Sequence, residues 1–467
     1  PPLPAPAGGP VNGNRMSTFD RDAVGVFRFV RCRFSADTGV AELAYAFDHG
    51  PELVETVTVP GAPFALEPAR VAAVERALRL LHLIAGVSYY KAAVPGEIRI
   101  DSYTIDAATA ALLEQVYLNG LGEFAYRNGL DLRGRIRFPF DPALATAAAP
   151  ALGLGERALV AIGGGKDSLV SIEALRAMGV EQAVTWIGNS QLIRTCAERT
   201  GLATLNIGRA LAPQLFEINR QGAYNGHIPV TAVNSAILVL AALLTGAGQV
   251  VFSNERSASY GSLIPGAGEV NHQWSKGWAF ERMFGEQVER AVAADLRYYS
   301  LLRPLSELAV ARQFAKSHHY DEHFSSCNRN FHILGEKPAQ RWCGLCPKCH
   351  FVFLALAPFM SKARLVRIFG RNLLDEDAQA AGFDALLEYQ DHKPFECVGE
   401  GRESRAAMAA LAARADWRED ALVARFAREI LPQLDPGELA IEPLLEIEGE
   451  HRVPVALWER LRARFAA

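Results

Sequence analysis

The sequence predicts an α/β fold: a parallel sheet wound on both faces, after an N-terminal α+β domain and before a four-cysteine zinc knuckle and a helical C-terminal region. Three observations predict it. Short apolar runs alternate with helical patterns between Ala158 and Ser253. A glycine turn, GGGKDS at Gly163–Ser168, sits where the first apolar run gives way to a helix. From Val24 to Val59, in contrast, apolar residues recur with a period of two.

Taken in order, Pro1–Arg15 (PPLPAPAGGPVNGNR) reads as appended linker and is set aside. In the domain at 16–150, Phe27, Phe29, Leu43, Tyr45 and Phe47 alternate with polar or small residues about Asp37-Thr38-Gly39, the pattern of an antiparallel hairpin. Helical patterns run from about Glu67 to Ile84 and from Ala107 to Tyr126, with GVSYYK between them. The Pro/Ala/Gly-rich stretch Phe138–Gly155 marks a boundary. The second domain, 151–357, has candidate strands at Ala158–Ile162, Ala183–Ile187, Thr204–Ile207 and Val250–Ser253. Its candidate helices begin near Ser168, Leu192, Thr231 and Lys276, and the apolar stretch Ala236–Leu244 reads as a buried helix. In such a sheet ligands bind beyond the carboxyl ends of the strands, which gathers Gly163–Ser168, Gly188–Ser190 and Asn254–Ser259 on one edge. The last region, 358–467, is helix-rich and charged, and HKPFECVGEGRES interrupts it.

The glycine turn carries the strongest chemical signal. Gly163, Gly164 and Gly165 let the backbone turn tightly and aim N–H groups at an anion. Lys166, Asp167 and Ser168 then open a helix whose first turn adds unpaired donors and a positive dipole end. GxxxxGK[ST] is excluded because Asp167 follows Lys166, and GxGxxG because Ser168 replaces its last glycine. A ligand-free βα turn is the bland alternative.

Of the 467 residues, 50% are apolar and 21% charged, with a net charge of −4. That balance argues against a nucleic-acid groove. No apolar run is long enough to span a bilayer and no signal-peptide pattern occurs, so a cytoplasmic enzyme without membrane or nucleic-acid partners is expected.

Four of the seven cysteines are organised. Cys343, Cys346 and Cys349 follow CxxCxxC spacing after an earlier Cys327, which suits a closed tetrahedral site for structural Zn²⁺. Iron–sulfur ligation is the rival, and His350 could replace one thiol.

Other candidates are weaker singly. Asn254, Glu255, Arg256 and Ser257 follow an apolar run, where they offer a carboxylate for Mg²⁺ and a guanidinium for phosphate; a solvated loop explains them equally. Asn189 lies on the same edge. His227 precedes a helix start and is an acid–base candidate or a cap. His272 and Lys276, four apart, would share one helical face. Cys397 lies apart from the metal cluster and is either a thiolate base or structural. Tyr89, Tyr90 and Lys91 suit a sugar or base, or cover a domain seam.

GGGKDS resembles the SGGxDS loop of the PP-loop (adenine nucleotide alpha hydrolase-like) ATP pyrophosphatases, with Gly163 in place of serine. That exchange removes one hydroxyl contact and leaves the backbone cradle. Loop and knuckle together also resemble the PP-loop synthase of the queuosine nitrile precursor. With FVRCRF, LLHLIAGVSYYK, YNGHIPVTAVNS, NERSAS and HKPFECVGE added, Met16–Ala467 looks like the UDP-N-acetylmuramoyl-L-alanyl-L-glutamate epimerase (MurL) family of cell-wall peptidoglycan synthesis. The resemblance implies inversion of the terminal L-Glu of UDP-MurNAc-L-Ala-L-Glu through an acyl-adenylate, with ATP and Mg²⁺ consumed to AMP and pyrophosphate. It places Gly163–Ser168 on pyrophosphate, Asp167 on Mg²⁺ and Asn254–Ser259 on ATP or the activated carboxylate. His227, His272, Lys276 and Cys397 are then the candidates for moving the α-proton. A PP-loop enzyme that adenylates for amidation or thiolation, and a non-catalytic ATP sensor, share the same loop.

Overall fold

A computed structural model describes residues 19–144, 148–264, 268–331, 337–390 and 393–466. The linker reading of Pro1–Arg15 and the residue His392 fall outside these ranges. The strands are β1 (Val26–Ser35), β2 (Val40–Phe47), β3 (Leu53–Thr58), β4 (Glu97–Ile100), β5 (Gly155–Ala161), β6 (Gln182–Ile187), β7 (Ala203–Ala210), β8 (Ala247–Phe252), β9 (Ser262–Ile264), β10 (Gly268–Val270) and β11 (Arg297–Ser300). Nine of them form one sheet in the order β11-β8-β5-β6-β7-β3-β2-β1-β4. Its β11-β8-β5-β6-β7 half is parallel throughout. β3 then joins β7 antiparallel, so the hairpin β1–β2 extends the parallel half rather than standing beside it.

The wound character follows from the strand sequences. Apolar residues on both sides of a strand demand cover on both faces. Along β5, Leu159 enters one core while Ala158 and Val160 enter the other. Val250 and Val251 of β8 divide in the same way. Helices α1 (Pro68–Ala85), α2 (Val87–Tyr90), α3 (Ala107–Gly120) and α4 (Gly122–Asn128) precede the parallel half. α5 (Lys166–Ala177), α6 (Gln191–Arg199), α7 (Pro213–Arg220), α8 (Val230–Thr245), α9 (Trp278–Ala291) and α10 (Glu307–Ala315) follow within it. The expected buried helix is α8: Ile237, Leu238, Leu240 and Leu243 are at most 1% exposed. Each such side chain contributes roughly 1.5–3 kcal/mol on burial. Beyond α11 (Asn328–Phe331), the helices α12 (Pro347–Leu356), α13 (Lys362–Phe369), α14 (Ala380–Leu387) and α15 (Gly401–Ala412) extend the second core.

Asn254–Ser259 is no solvated loop: it includes a 3₁₀ segment over Arg256–Ser259, and Asn254, Glu255 and Ser257 are buried. The helix expected near Lys276 begins at Trp278, after a separate 3₁₀ turn at Trp274–Lys276, so His272 and Lys276 share no α-helical face. Tyr89 and Tyr90 are fully buried, with Tyr89 stacked on Tyr45 at 4.6 Å and its hydroxyl accepting from the Ala212 amide. Tyr89 thus joins the hairpin to the parallel half, Tyr90 packs on Phe27 and Tyr117, and neither presents a ring to a ligand.

Candidate active site

The glycine turn leaves the carboxyl end of β5. Gly164 has φ +81°, a conformation that side chains resist, and a Cβ on Gly163 would meet open space. The carbonyl of Gly164 accepts from the Ser325 amide at 2.8 Å, and Gly165 lies against Ser326, so the turn rests on the segment leading to Cys327. The Ser168 hydroxyl bonds back to the Gly165 carbonyl at 3.2 Å. Asn189 is exposed at the end of β6, on the same edge.

Lys166 turns inward rather than toward solvent. Its ammonium, 2% exposed, pairs with Asp167 and with buried Glu307. Glu255 joins them: oxygens of Asp167, Glu255 and Glu307 all lie within 4.8 Å of one another. Burial, reinforced by Glu307 and Asp167, raises the Glu255 pKa to about 8. The three carboxyl groups supply a set of oxygen donors of the kind that suits Mg²⁺. The neighbours of Glu255 have other duties. Asn254 donates to Ser300 at 3.0 Å, Arg256 pairs with Glu448 at 2.9 Å, and the Ser257 hydroxyl donates to Glu403 at 2.6 Å.

The four proton-transfer candidates meet beside this cradle. Gly226 lies against Phe124 and Gly120 under Pro229, close approaches that bring the loop carrying His227 down onto α3 and α4. Lys91 holds the same loop through Asn225 at 2.7 Å. His227 and His272 then stand with ring centroids 4.2 Å apart. Glu123, in the first turn of α4, accepts from His272 Nδ1 and lies 4.0 Å from His227 Nδ1. Lys276 Nζ is 3.2 Å from Cys397 Sγ, and the charge of His272 acts on the same sulfur. Buried Arg303 donates to the carbonyls of Glu255 and Lys276 and so locks the two clusters together.

Charge in this second cluster is sorted by position. Burial alone would push the Cys397 thiol up, but Lys276, His272 and Lys348 bring its pKa down to about 5. Burial would lower His272, yet Cys397 and Glu123 raise it to about 9. Lys276 is raised by the Cys397 charge. His227 falls to about 4, through burial and the neighbouring His272 charge. At neutral pH the cluster therefore holds a thiolate, an imidazolium, an ammonium and a neutral imidazole.

Glu123, Glu307 and Lys348 were not among the sequence candidates. Glu123 and Glu307 are single charged residues with nothing in their neighbours to mark them, and Lys348 is masked by the cysteine knuckle that surrounds it; only the fold brings Glu123 to His272.

The sulfurs of Cys327, Cys343, Cys346 and Cys349 converge, with Cys343–Cys349 at 3.7 Å, Cys346–Cys349 at 3.5 Å and Cys327–Cys346 at 4.0 Å. A tetrahedron with Zn–S bonds of about 2.3 Å requires sulfurs about 3.8 Å apart, so the four thiols fit zinc. His350 is directed elsewhere, to Gln379 at 2.8 Å.

Comparison with known proteins gives the family. Residues 18–301 match the MurL N-terminal domain and residues 323–439 the MurL C-terminal domain. A UDP-N-acetyl-alpha-D-muramoyl-L-alanyl-L-glutamate epimerase of Xanthomonas oryzae pv. oryzae is 76% identical over 451 residues, covering 97% of this chain and all of that one. Proteins of the same name from Salinispora tropica and a Micromonospora species are 44% and 42% identical, over 85% and 92% of this chain and 87% and 96% of theirs. The chain belongs to the MurL epimerase family.

Proposed function

We infer that this enzyme inverts the terminal L-Glu of UDP-MurNAc-L-Ala-L-Glu to D-Glu for peptidoglycan synthesis, and that it does so by first activating the glutamate carboxyl group with ATP. The observation that carries the reading is the junction of two clusters: a glycine cradle with three carboxylates, and beside it four groups able to move a proton.

The chemistry explains why both are needed. Beside a free carboxylate the α-proton is far too weakly acidic for a side chain to remove, because the product would be a dianion. An acyl-adenylate withdraws that charge and lets the carbanion form as an enolate. Gly163–Ser168 is suited to hold the pyrophosphate portion of ATP, with Asp167, Glu255 and Glu307 as holders of Mg²⁺, which neutralises phosphate charge when bound. Asn189 lies exposed on the same edge and is suited to the nucleotide, whereas Asn254, Arg256 and Ser257 hold the segment that carries Glu255 through Ser300, Glu448 and Glu403. Inversion then needs an acceptor and a donor on opposite faces of a planar enolate. His227, held neutral, is suited to accept, and the cationic Lys276 and His272 to donate. Hydrolysis releases AMP. The cysteine knuckle stays structural, since four thiolates leave no open position for substrate.

The test is substrate-dependent release of AMP and pyrophosphate with concurrent conversion of L-Glu to D-Glu in the nucleotide dipeptide. Release without inversion would support an amidating or thiolating relative instead. ATP binding with no release would leave only a sensor.

A further inference from the structure

Cys397 has a setting that proton transfer alone does not require. The charge of His272 acts on its sulfur, and Glu123 accepts from Nδ1 of that imidazole. Thiol, imidazole and carboxylate in that order are the parts of an activated nucleophile. Lys276, 3.2 Å from the sulfur, adds a fixed positive charge. The nucleotide cradle is also near. Lys348 donates to the Cys397 carbonyl and stands 3.9 Å from Glu307, the carboxylate that pairs with Lys166 at the end of the glycine turn.

We propose that Cys397 takes the activated glutamyl group from its adenylate and holds it as a thioester while the α-carbon inverts. The inference rests on the ATP-dependent activation described above. The thiolate adds to the acyl carbon, the C–O bond to AMP breaks, and AMP leaves with the electron pair on its phosphate oxygen. One side chain then takes the α-proton and another returns a proton to the opposite face, so this step is neutral in protons. Water adds to the thioester, the C–S bond breaks, and the glutamate carboxylate and the thiolate are regenerated with release of two protons. A thioester suits the interval between. Sulfur donates less electron density into the carbonyl than an ester oxygen does, which makes the α-proton more acidic. It is also attacked by water more slowly than a mixed anhydride with phosphate, which leaves time for the exchange.

The experiment is intact-protein mass spectrometry of wild-type enzyme, acid-quenched during turnover with ATP, Mg²⁺ and UDP-MurNAc-L-Ala-L-Glu. The expected result is a protein heavier by the substrate acyl group, with the adduct on the Cys397 peptide and removed by neutral hydroxylamine. A burst of AMP equal to the enzyme should accompany it. Cys397→Ser should still release pyrophosphate, which shows that it folds, while forming no thioester and losing inversion by about a hundredfold or more. AMP release and inversion in the wild type with no adduct would overturn the thioester and leave adenylation standing. Absence of substrate-dependent AMP and pyrophosphate would overturn adenylation and the thioester with it.

Discussion

Lys276 Nζ lies 3.2 Å from Cys397 Sγ, although the two residues are 121 positions apart in the chain. The contact links the two functional clusters, because Lys276 also feels the charges of Glu255 and Asp167 beside the glycine turn. It gives the thiol of an otherwise unremarked loop a partner that stays charged across the physiological range.

Alkylation of Cys397 should reveal that partnership. Burial opposes ionisation, but Lys276, His272 and Lys348 hold the pKa at about 5, so the thiolate is formed as pH rises through 5. Peptide-resolved iodoacetamide labelling between pH 4 and 9 should show reactivity at this cysteine already on its plateau at pH 7. Lys276→Met should move the midpoint upward by about a unit or more. An unchanged midpoint would show that Lys276 does not set the thiol's charge.

His272 should leave a signature in stability. Its folded-state pKa is raised to about 9, despite burial, by Cys397 and Glu123. A raised pKa means that the folded protein binds the proton more tightly, so the stabilisation is complete below about 6.5 and is lost as pH rises through 9. The difference in urea midpoint between wild type and His272→Gln should therefore shrink between pH 6.5 and 9.5. The total change is roughly 3 kcal/mol by the usual conversion of a pKa shift.

Asp167→Ala should abolish AMP formation by removing one of the three carboxylates about Lys166. Its folding is checked by thermal unfolding and its activity by pyrophosphate release. Full activity in this variant would remove the glycine turn from the mechanism.

Much of this was legible in the sequence, for identifiable reasons. The glycine turn and the cysteine knuckle are local: the residues that make each site are neighbours, and their spacing carries the geometry. α8 was legible because an unbroken apolar run has only one place to go. Two-sided burial of β5 and β8 followed from apolar residues at consecutive positions. The proton-transfer cluster was legible only as a set of names. His272 and Lys276 were paired for a reason that fails, since a 3₁₀ turn separates them, and they meet through Cys397 instead. Glu123 carried no signal, because a glutamate in the first turn of a helix is ordinary until a loop 149 residues away packs against it. Tyr89 and Tyr90 could be read as ligand contacts or as cover for a seam, and their full burial decides against the ligand.

Zinc should be removable with a structural penalty. Purified protein should contain about one zinc per chain, and Cys346→Ser should lose it. Because metal binding contributes to folding, the melting temperature should fall by about 10 °C. Elemental analysis paired with calorimetry checks both, and iron with acid-labile sulfide in place of zinc would contradict the assignment.

The most direct measurement follows the α-hydrogen. UDP-MurNAc-L-Ala-L-Glu is incubated with enzyme in deuterated water, with and without ATP and Mg²⁺, and the glutamate is analysed for chirality and isotope. Carboxyl activation requires D-Glu carrying α-deuterium, one AMP for each inversion, and no reaction without the nucleotide. Inversion at an equal rate in the absence of ATP would contradict it.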